Sequence, residues 1–201
     1  MTTEPERPPS AEFVATSGPQ IWVGSLSDYN AGVLYGNWMG GAREPEQIHD
    51  DIAALLAKSP TAADEGTPAE EWGIFDYEGF GELHIGEYDS IERVSHLASR
   101  IAEHGPAYAA WASLGHHRDS DDLDQTFEDA YRGRFDSVVE YVEQFIDDMG
   151  YEELLDQAVP AGIRPYVTIR TEALARDLEL SGDVYAPPSD DGGVWLFEGN
   201  V

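Results

Sequence analysis

The sequence predicts an α+β fold, with small antiparallel β-containing units at both ends of the chain and helices between. Three observations carry this. Short alternating or aromatic-rich runs bounded by turn residues occur near both ends. Apolar residues recur at helical spacing through the middle. With 41% hydrophobic and 11% aromatic residues, the chain has the apolar mass to bury a core, which disordered acidic chains lack.

In chain order, residues 1–18, with Pro5, Pro8 and Pro9 among Ser, Thr and Glu, read as a disordered leader. Gln20–Leu26 reads as a strand, Asn30-Ala31-Gly32 as a turn and Val33–Trp38 as the hairpin partner. Ile48, Ile52, Leu55 and Leu56 predict a helix from Pro45 to Lys58, followed by a Pro/Ala/Thr/Gly loop over 59–69. Glu71–Tyr77 reads as a third strand, with Trp72, Ile74 and Asp76 on one face and Phe75 and Tyr77 on the other.

Asp89 or Ser90 can cap a helix with the stripe Ile91, Val94, Leu97, Ala98 and Ile101, which ends at His104-Gly105. Pro106 opens a second helix to Leu114. Gly115–Asp124 reads as a polar, mobile loop, and a further helix lies near Thr126–Tyr131. Ser137 and Glu140 have capping-box spacing for a helix to Met149 with Val138, Tyr141, Val142, Phe145 and Ile146 on its apolar face. Tyr151–Ala158 reads as helix, Tyr166–Arg170 as strand, Thr171–Glu179 as a helix closed by Ser181-Gly182, and Gly193–Glu198 as the last strand. The aromatic residues Trp22, Tyr29, Trp38, Trp72, Phe75, Tyr77 and Trp195 are expected in the core or in subunit contacts.

Charge dominates the composition. Forty Asp and Glu stand against eleven Lys and Arg, a formal net charge of −29. Successive fifty-residue blocks carry an excess of 5, 8, 9 and 7 acids (the last block one residue longer), so the folded body bears the charge, not a tail. Self-repulsion at this level opposes compaction. The sign argues against nucleic acid and anionic membranes as partners, since both recruit Lys and Arg. It favours basic partners, cations or a high-salt habitat. Duplex DNA carries about two charges per base pair, so 29 charges match at most roughly 15 bp.

Cysteine is absent, which excludes disulfides, thiolate metal sites and cysteine nucleophiles. The first eighteen residues lack the apolar stretch of a signal peptide, and no run is long enough to span a membrane; a cytoplasmic location is expected. No nucleophile elbow, phosphate loop, dinucleotide fingerprint or H-E-x-x-H motif occurs, so no catalytic or cofactor-binding residue is assigned. Paired carboxylates carry no information where forty are present. Asp119–Asp124 looks calcium-like, but the Gly and Glu of an EF-hand loop are missing in either register, and His116-His117 reads as part of a solvated loop. No metal site is assigned.

Glu140, Glu143 and Asp147 fall on the face opposite the apolar stripe of their helix, with Asp148 beside them. A solvated face is the ordinary explanation. Here, however, the Lys partners that usually balance such a face are missing, with one Lys in the chain.

Three ordered blocks carry a family likeness. Ile21-Trp22-Val23-Gly24, Tyr29-Asn30-Ala31-Gly32 and Gly36-Asn37-Trp38 form the first. Glu71–Glu78 with Gly86–Ile91 forms the second. Leu154-Leu155, Pro160, Tyr166-Val167 and Ala175–Gly182 form the third. Together they resemble the ArdA antirestriction proteins, the third block matching the stretch that holds the family's antirestriction motif. Phe75 stands where the family often has His, and Thr168, Arg170 and Leu174 replace a more acidic, aromatic run.

The resemblance implies three small units in an elongated, curved homodimer: 19–88 as an N-terminal α/β unit, 89–127 as a central helical unit and 128–201 as a C-terminal α+β unit. It implies a non-enzymatic acidic protein that imitates duplex DNA and occupies the DNA groove of type I restriction–modification enzymes. The carboxylates expected to stand for phosphates are Glu87, Asp89, Glu92, Glu128, Asp129, Asp136, Glu140, Glu143, Asp147, Asp148, Glu152, Glu153, Asp177 and Glu179. The rival readings are an acidic inhibitor or chaperone of another basic protein, and a halophile-adapted protein of other activity.

Overall fold

A computed structural model describes residues 18–114 and 122–199. Among these lie nine α-helices and two three-stranded antiparallel sheets, an α+β fold as expected. The chain divides into two compact units, one taking its described residues from 18–79 and 85–102, the other from 80–84, 103–114 and 122–199.

In the first unit, β1 (Gln20–Ser25) leads into a five-residue helix, α1 (Leu26–Asn30), before β2 (Gly36–Gly40) returns beside it. The expected turn is present at Gly32, whose φ is 81°, but the returning strand starts at Gly36 and not at Val33. The reason is local. Ser25 accepts a hydrogen bond from the Asp28 amide and caps α1, and the Val33 amide is spent on the Asp28 carbonyl. Next come α2 (Pro45–Leu56) and α3 (Pro60–Glu65). The latter was expected to be loop, yet Ser59 caps it, Pro60 opens it and Gly66 closes it at φ 69°.

The third strand, β3 (Trp72–Glu78), pairs with β1, which becomes the central strand. Its register shifts at one point: Val23 faces Ile74, whereas Trp22 faces Asp76. This bulge leaves Phe75 unpaired and moves Asp76 off the face of Ile74 and onto that of Trp22, contrary to the simple alternation expected. Ile21, Val23, Met39 and Ile74 are buried, with Ile48, Ile52 and Leu56 of α2 supplying the opposing apolar stripe. The helix α4 (Ile91–His104) carries the expected stripe, and Ser90 caps it through the Arg93 amide.

In the second unit, α5 (Pro106–Ser113) and α6 (Leu123–Ala130) are followed by β4 (Tyr131–Phe135). The expected loop at Gly115–Asp124 lies mostly outside the described residues, as does the expected leader 1–18 apart from Gly18; Leu123 and Asp124 belong to α6. The strand β4 is a correction, since its Tyr-Arg-Gly-Arg-Phe alternation is short and interrupted by Gly133. The chain continues through α7 (Val138–Asp148), α8 (Tyr151–Ala158) and a 3-10 turn at Arg164–Tyr166. The expected strand at Tyr166–Arg170 is not formed: Tyr166 closes that turn at 84% exposure, and the Arg164 guanidinium donates to the Val167 carbonyl. Then follow α9 (Thr171–Ser181), closed by Gly182 at φ 79°, β5 (Val184–Tyr185) and β6 (Val194–Glu198).

The sheet order is β4-β6-β5, and the central strand is buried on both faces. Leu196 packs into a core of Val138, Val142, Ile146 and Ala175 from α7 and α9. Phe197 points the other way, with its ring 4.9 Å from Trp111 of α5 and 5.4 Å from Tyr131. Trp111, Tyr108, Phe80 and Phe197 are the largest fully buried side chains. Of the seven aromatics expected in the core or in subunit contacts, the six on strands are half-buried, because the sheet faces that bear them are only partly covered, and Tyr29 on α1 is exposed.

Candidate partner-binding surface

The sequence that makes α7 amphipathic also fixes where its acids point. Val138, Val142 and Ile146 are buried, so Glu140, Glu143, Asp147 and Asp148 are held on the solvent side. The helix is started by Ser137, whose Oγ accepts from the Glu140 amide at 3.2 Å. The reciprocal arm of the capping box reaches the Asp136 amide at 2.6 Å, one residue before the expected position. Between Arg134 and Arg164 the sequence holds eight acids and no Lys, Arg or His.

The chain's own cations do not neutralise this stretch. Arg134 pairs with Asp136 at 2.6 Å and Asp191 at 3.1 Å, and Arg164 with Glu152 and Asp156 at the far end. Both guanidinium groups are pushed up, Arg134 by Asp136 and then Asp191, Arg164 by Glu152 and then Asp156. Arg132 bonds Glu198 at 2.6 Å and holds that carboxyl below its ordinary range. The pairs at Arg134, Arg164 and Arg132 are exposed or half-exposed, and solvent screening leaves such pairs little weight in stability. Their consequence is placement: they consume cations near the ends of the stretch and leave its centre bare.

The fourteen carboxylates expected to act together sort by environment. Glu143, Asp147, Asp148, Glu153, Asp177 and Glu179 are exposed, and among the described residues their side chains hold no hydrogen bond or ion pair. Asp136, Glu140 and Glu152 are exposed but engaged, in the pairs and cap above. Asp129 accepts from Gln125 at 3.0 Å, and Glu128 is exposed beside it on α6. These eleven belong to the second unit, whereas Glu87, Asp89 and Glu92 belong to the first. Asp89 is half-buried and committed locally, accepting from the Gly86 amide at 2.9 Å and from Arg93 at 2.7 Å. Glu92 lies 3.5 Å from His49 and is held low by its own backbone amide and then by His49. Glu87 lies against Gly73, and its carboxylate beside Tyr88 raises the Tyr88 pKa.

One feature of the surface was not found in the sequence. The helix α8 buries no residue, yet Tyr151, Leu154, Leu155 and Ala158 recur at i, i+3, i+4 and i+7, with Leu154 54% exposed. Met149, Ile163, Tyr166 and Leu180 are exposed in the same unit. The stripe was legible, but only the structure shows that, among the described residues, it is covered only in part: the Tyr151 ring lies 5.9 Å from Phe145, Leu155 is half-buried, and Leu154 is left exposed.

Among the described residues, no group of three or more His, Asp or Glu side chains could hold a metal ion, and the Asp119–Asp121 and His116-His117 sequences lie outside them. No helix among these residues is long and apolar enough to cross a membrane.

Compared with curated proteins, the chain shows no significant match. A family model described as antirestriction protein (ArdA) matches residues 21–189, which takes in both sheets in part, all of the α7–α8 acidic stretch and the α9 helix. An acidic α+β chain whose three ordered motif blocks all fall within that match is a member of the ArdA antirestriction protein family.

Proposed function

We propose that this antirestriction protein acts without catalysis, presenting carboxylates in place of DNA phosphates to the DNA-binding groove of a type I restriction–modification enzyme in the cytoplasm. The observation that carries the reading is the bare acidic stretch of α7 and α8: Glu143, Asp147, Asp148 and Glu153 project from helices whose sequence supplies no cation. A groove that grips phosphate offers Lys and Arg at phosphate spacing, and exposed unpaired carboxylates satisfy the same donors. Asp177 and Glu179 on α9, and Glu128 and Asp129 on α6, extend the charge beyond this stretch.

The working form is a homodimer. The partly exposed apolar stripe of α8, with Ile163 and Tyr166 nearby in sequence, supports pairing between copies, because contiguous exposed apolar surface marks interaction sites. The decisive measurement is displacement of a labelled duplex from a type I restriction–modification enzyme, followed by polarisation at moderate salt. Stoichiometric dimer is expected to release the DNA. A folded protein that leaves the duplex bound at tenfold excess would overturn the reading.

A further inference from the structure

The outward face of the first sheet carries an aromatic surface that the acidic reading does not use. Trp22 and Trp38 face each other across β1 and β2, and the bulge in β3 adds Phe75 and Asp76 to the same face. The Trp22 and Phe75 centroids are 5.8 Å apart, and Tyr29 stacks on Phe75 at 5.1 Å. Each of these rings retains solvent exposure, Tyr29 55%.

The rings are seated on glycines. A Cβ on Gly36 would stand 2.5 Å from the Trp22 ring and from the Val23 carbonyl oxygen, and one on Gly24 would stand 2.6–2.7 Å from both the Trp22 and Phe75 rings. The indole therefore lies along the sheet over this glycine pair, with one π-face on backbone and the other outward. Alternation along β1 puts Trp22 on the face opposite the buried Ile21 and Val23, so the ring fills no part of the core beneath the sheet.

We propose that this platform docks an arginine of a basic partner: the guanidinium stacks on the outward face of Trp22, flanked by Phe75 and Trp38, while Asp76 supplies the countercharge. Three features select that occupant. Aromatic faces attract cations, and the planar guanidinium stacks where an ammonium cannot. Asp76 is exposed on the same face as the rings, and its unit holds far more acids than bases. The same charge repels nucleic acid, the other common ligand of aromatic sheet faces. The inference shares the basic-partner reading of the net charge, but it concerns a different surface in a different unit, and its test requires no restriction enzyme.

The test titrates the full chain with two short capped peptides of equal charge, one with two arginines and one with two lysines. Tryptophan fluorescence and the indole N–H resonances report binding. The arginine peptide is expected to bind about two- to fivefold more tightly, the size of one partly exposed cation–π contact, and to shift the Trp22 indole signal. Trp22→Leu and, separately, Phe75→Leu should erase the preference while far-UV circular dichroism stays unchanged. Asp76→Asn should weaken both peptides. Equal affinity for the two peptides overturns the proposal, as does a preference that survives Trp22→Leu. So does an arginine peptide that leaves the Trp22 indole resonance of the unmodified chain unmoved. Perturbation of the same rings by a neutral oligosaccharide, and not by the arginine peptide, would reassign the platform to another ligand.

Discussion

At the scale of single residues, Asp28 shows how this acidic chain uses a carboxylate for structure. It is fully buried, and its Oδ1 accepts from the Thr61 amide at 2.8 Å, tying α1 to the start of α3. Burial alone would push its carboxyl up. The Thr61 amide and the nearby hydroxyl groups of Ser25, Ser59 and Thr61 outweigh that and hold it at about 2, although Oδ2 makes no hydrogen bond of its own among the described residues. The folded value lies below the unfolded one, so the stabilisation is complete above the ordinary carboxylate range and is lost as pH falls from about 4 through about 2. Asp28→Asn should destabilise the protein by about 1–3 kcal/mol at neutral pH, because the charge-assisted bond from the Thr61 amide is weakened and an NH2 group is buried in its place. Urea denaturation of both proteins at pH 7 and pH 2.5 checks this: the gap between them should narrow in acid.

At the scale of elements, α7 and α8 make contrasting predictions. Ser137→Ala removes the cap of α7 and should cost about 1 kcal/mol, read as a lower denaturation midpoint. Leu154 on α8 is exposed and packs into no core, so Leu154→Glu should leave the folded chain intact. If copies pair through this stripe, the same change should weaken the dimer by at least about tenfold, measured by sedimentation equilibrium. An unchanged dimer would place the contact elsewhere.

At the scale of the whole molecule, the net charge of −29 matters through its distribution. Competition with DNA should weaken steeply as salt rises, since ion pairing between exposed groups is screened over about 8 Å at physiological ionic strength. Single changes such as Asp147→Asn should alter inhibition by less than about threefold, because many acids share the contact. Neutralising Glu143, Asp147, Asp148 and Glu153 together should reduce inhibition far more than their individual effects suggest and flatten the salt dependence. One exposed acid whose loss abolished activity in a folded protein would sink the distributed picture.

How much of this was written in the sequence depends on the range of the interaction. Local rules located most helices, because caps such as Ser137, stops such as Gly182 and 3.6-residue stripes act within a few residues. They also had the signals for α3 in Ser59, Pro60 and Gly66, which its Pro/Ala/Thr composition obscured. Charge sign, the absence of cysteine and the ordered family motifs were likewise fixed by composition and order alone. Non-local pairing decided the rest. The strands β4 and β5 exist because β6 needs partners on both edges, and residues 166–170 are not a strand because no edge receives them. A one-residue bulge, set by pairing with β1, put Asp76 beside Trp22. Which acids remain bare was also a tertiary outcome: the sequence supplied the excess, but only the folded chain shows Arg134 and Arg164 spent on Asp136, Asp191, Glu152 and Asp156. An ion pair depends on where two distant side chains meet, and that is settled only when the chain closes on itself.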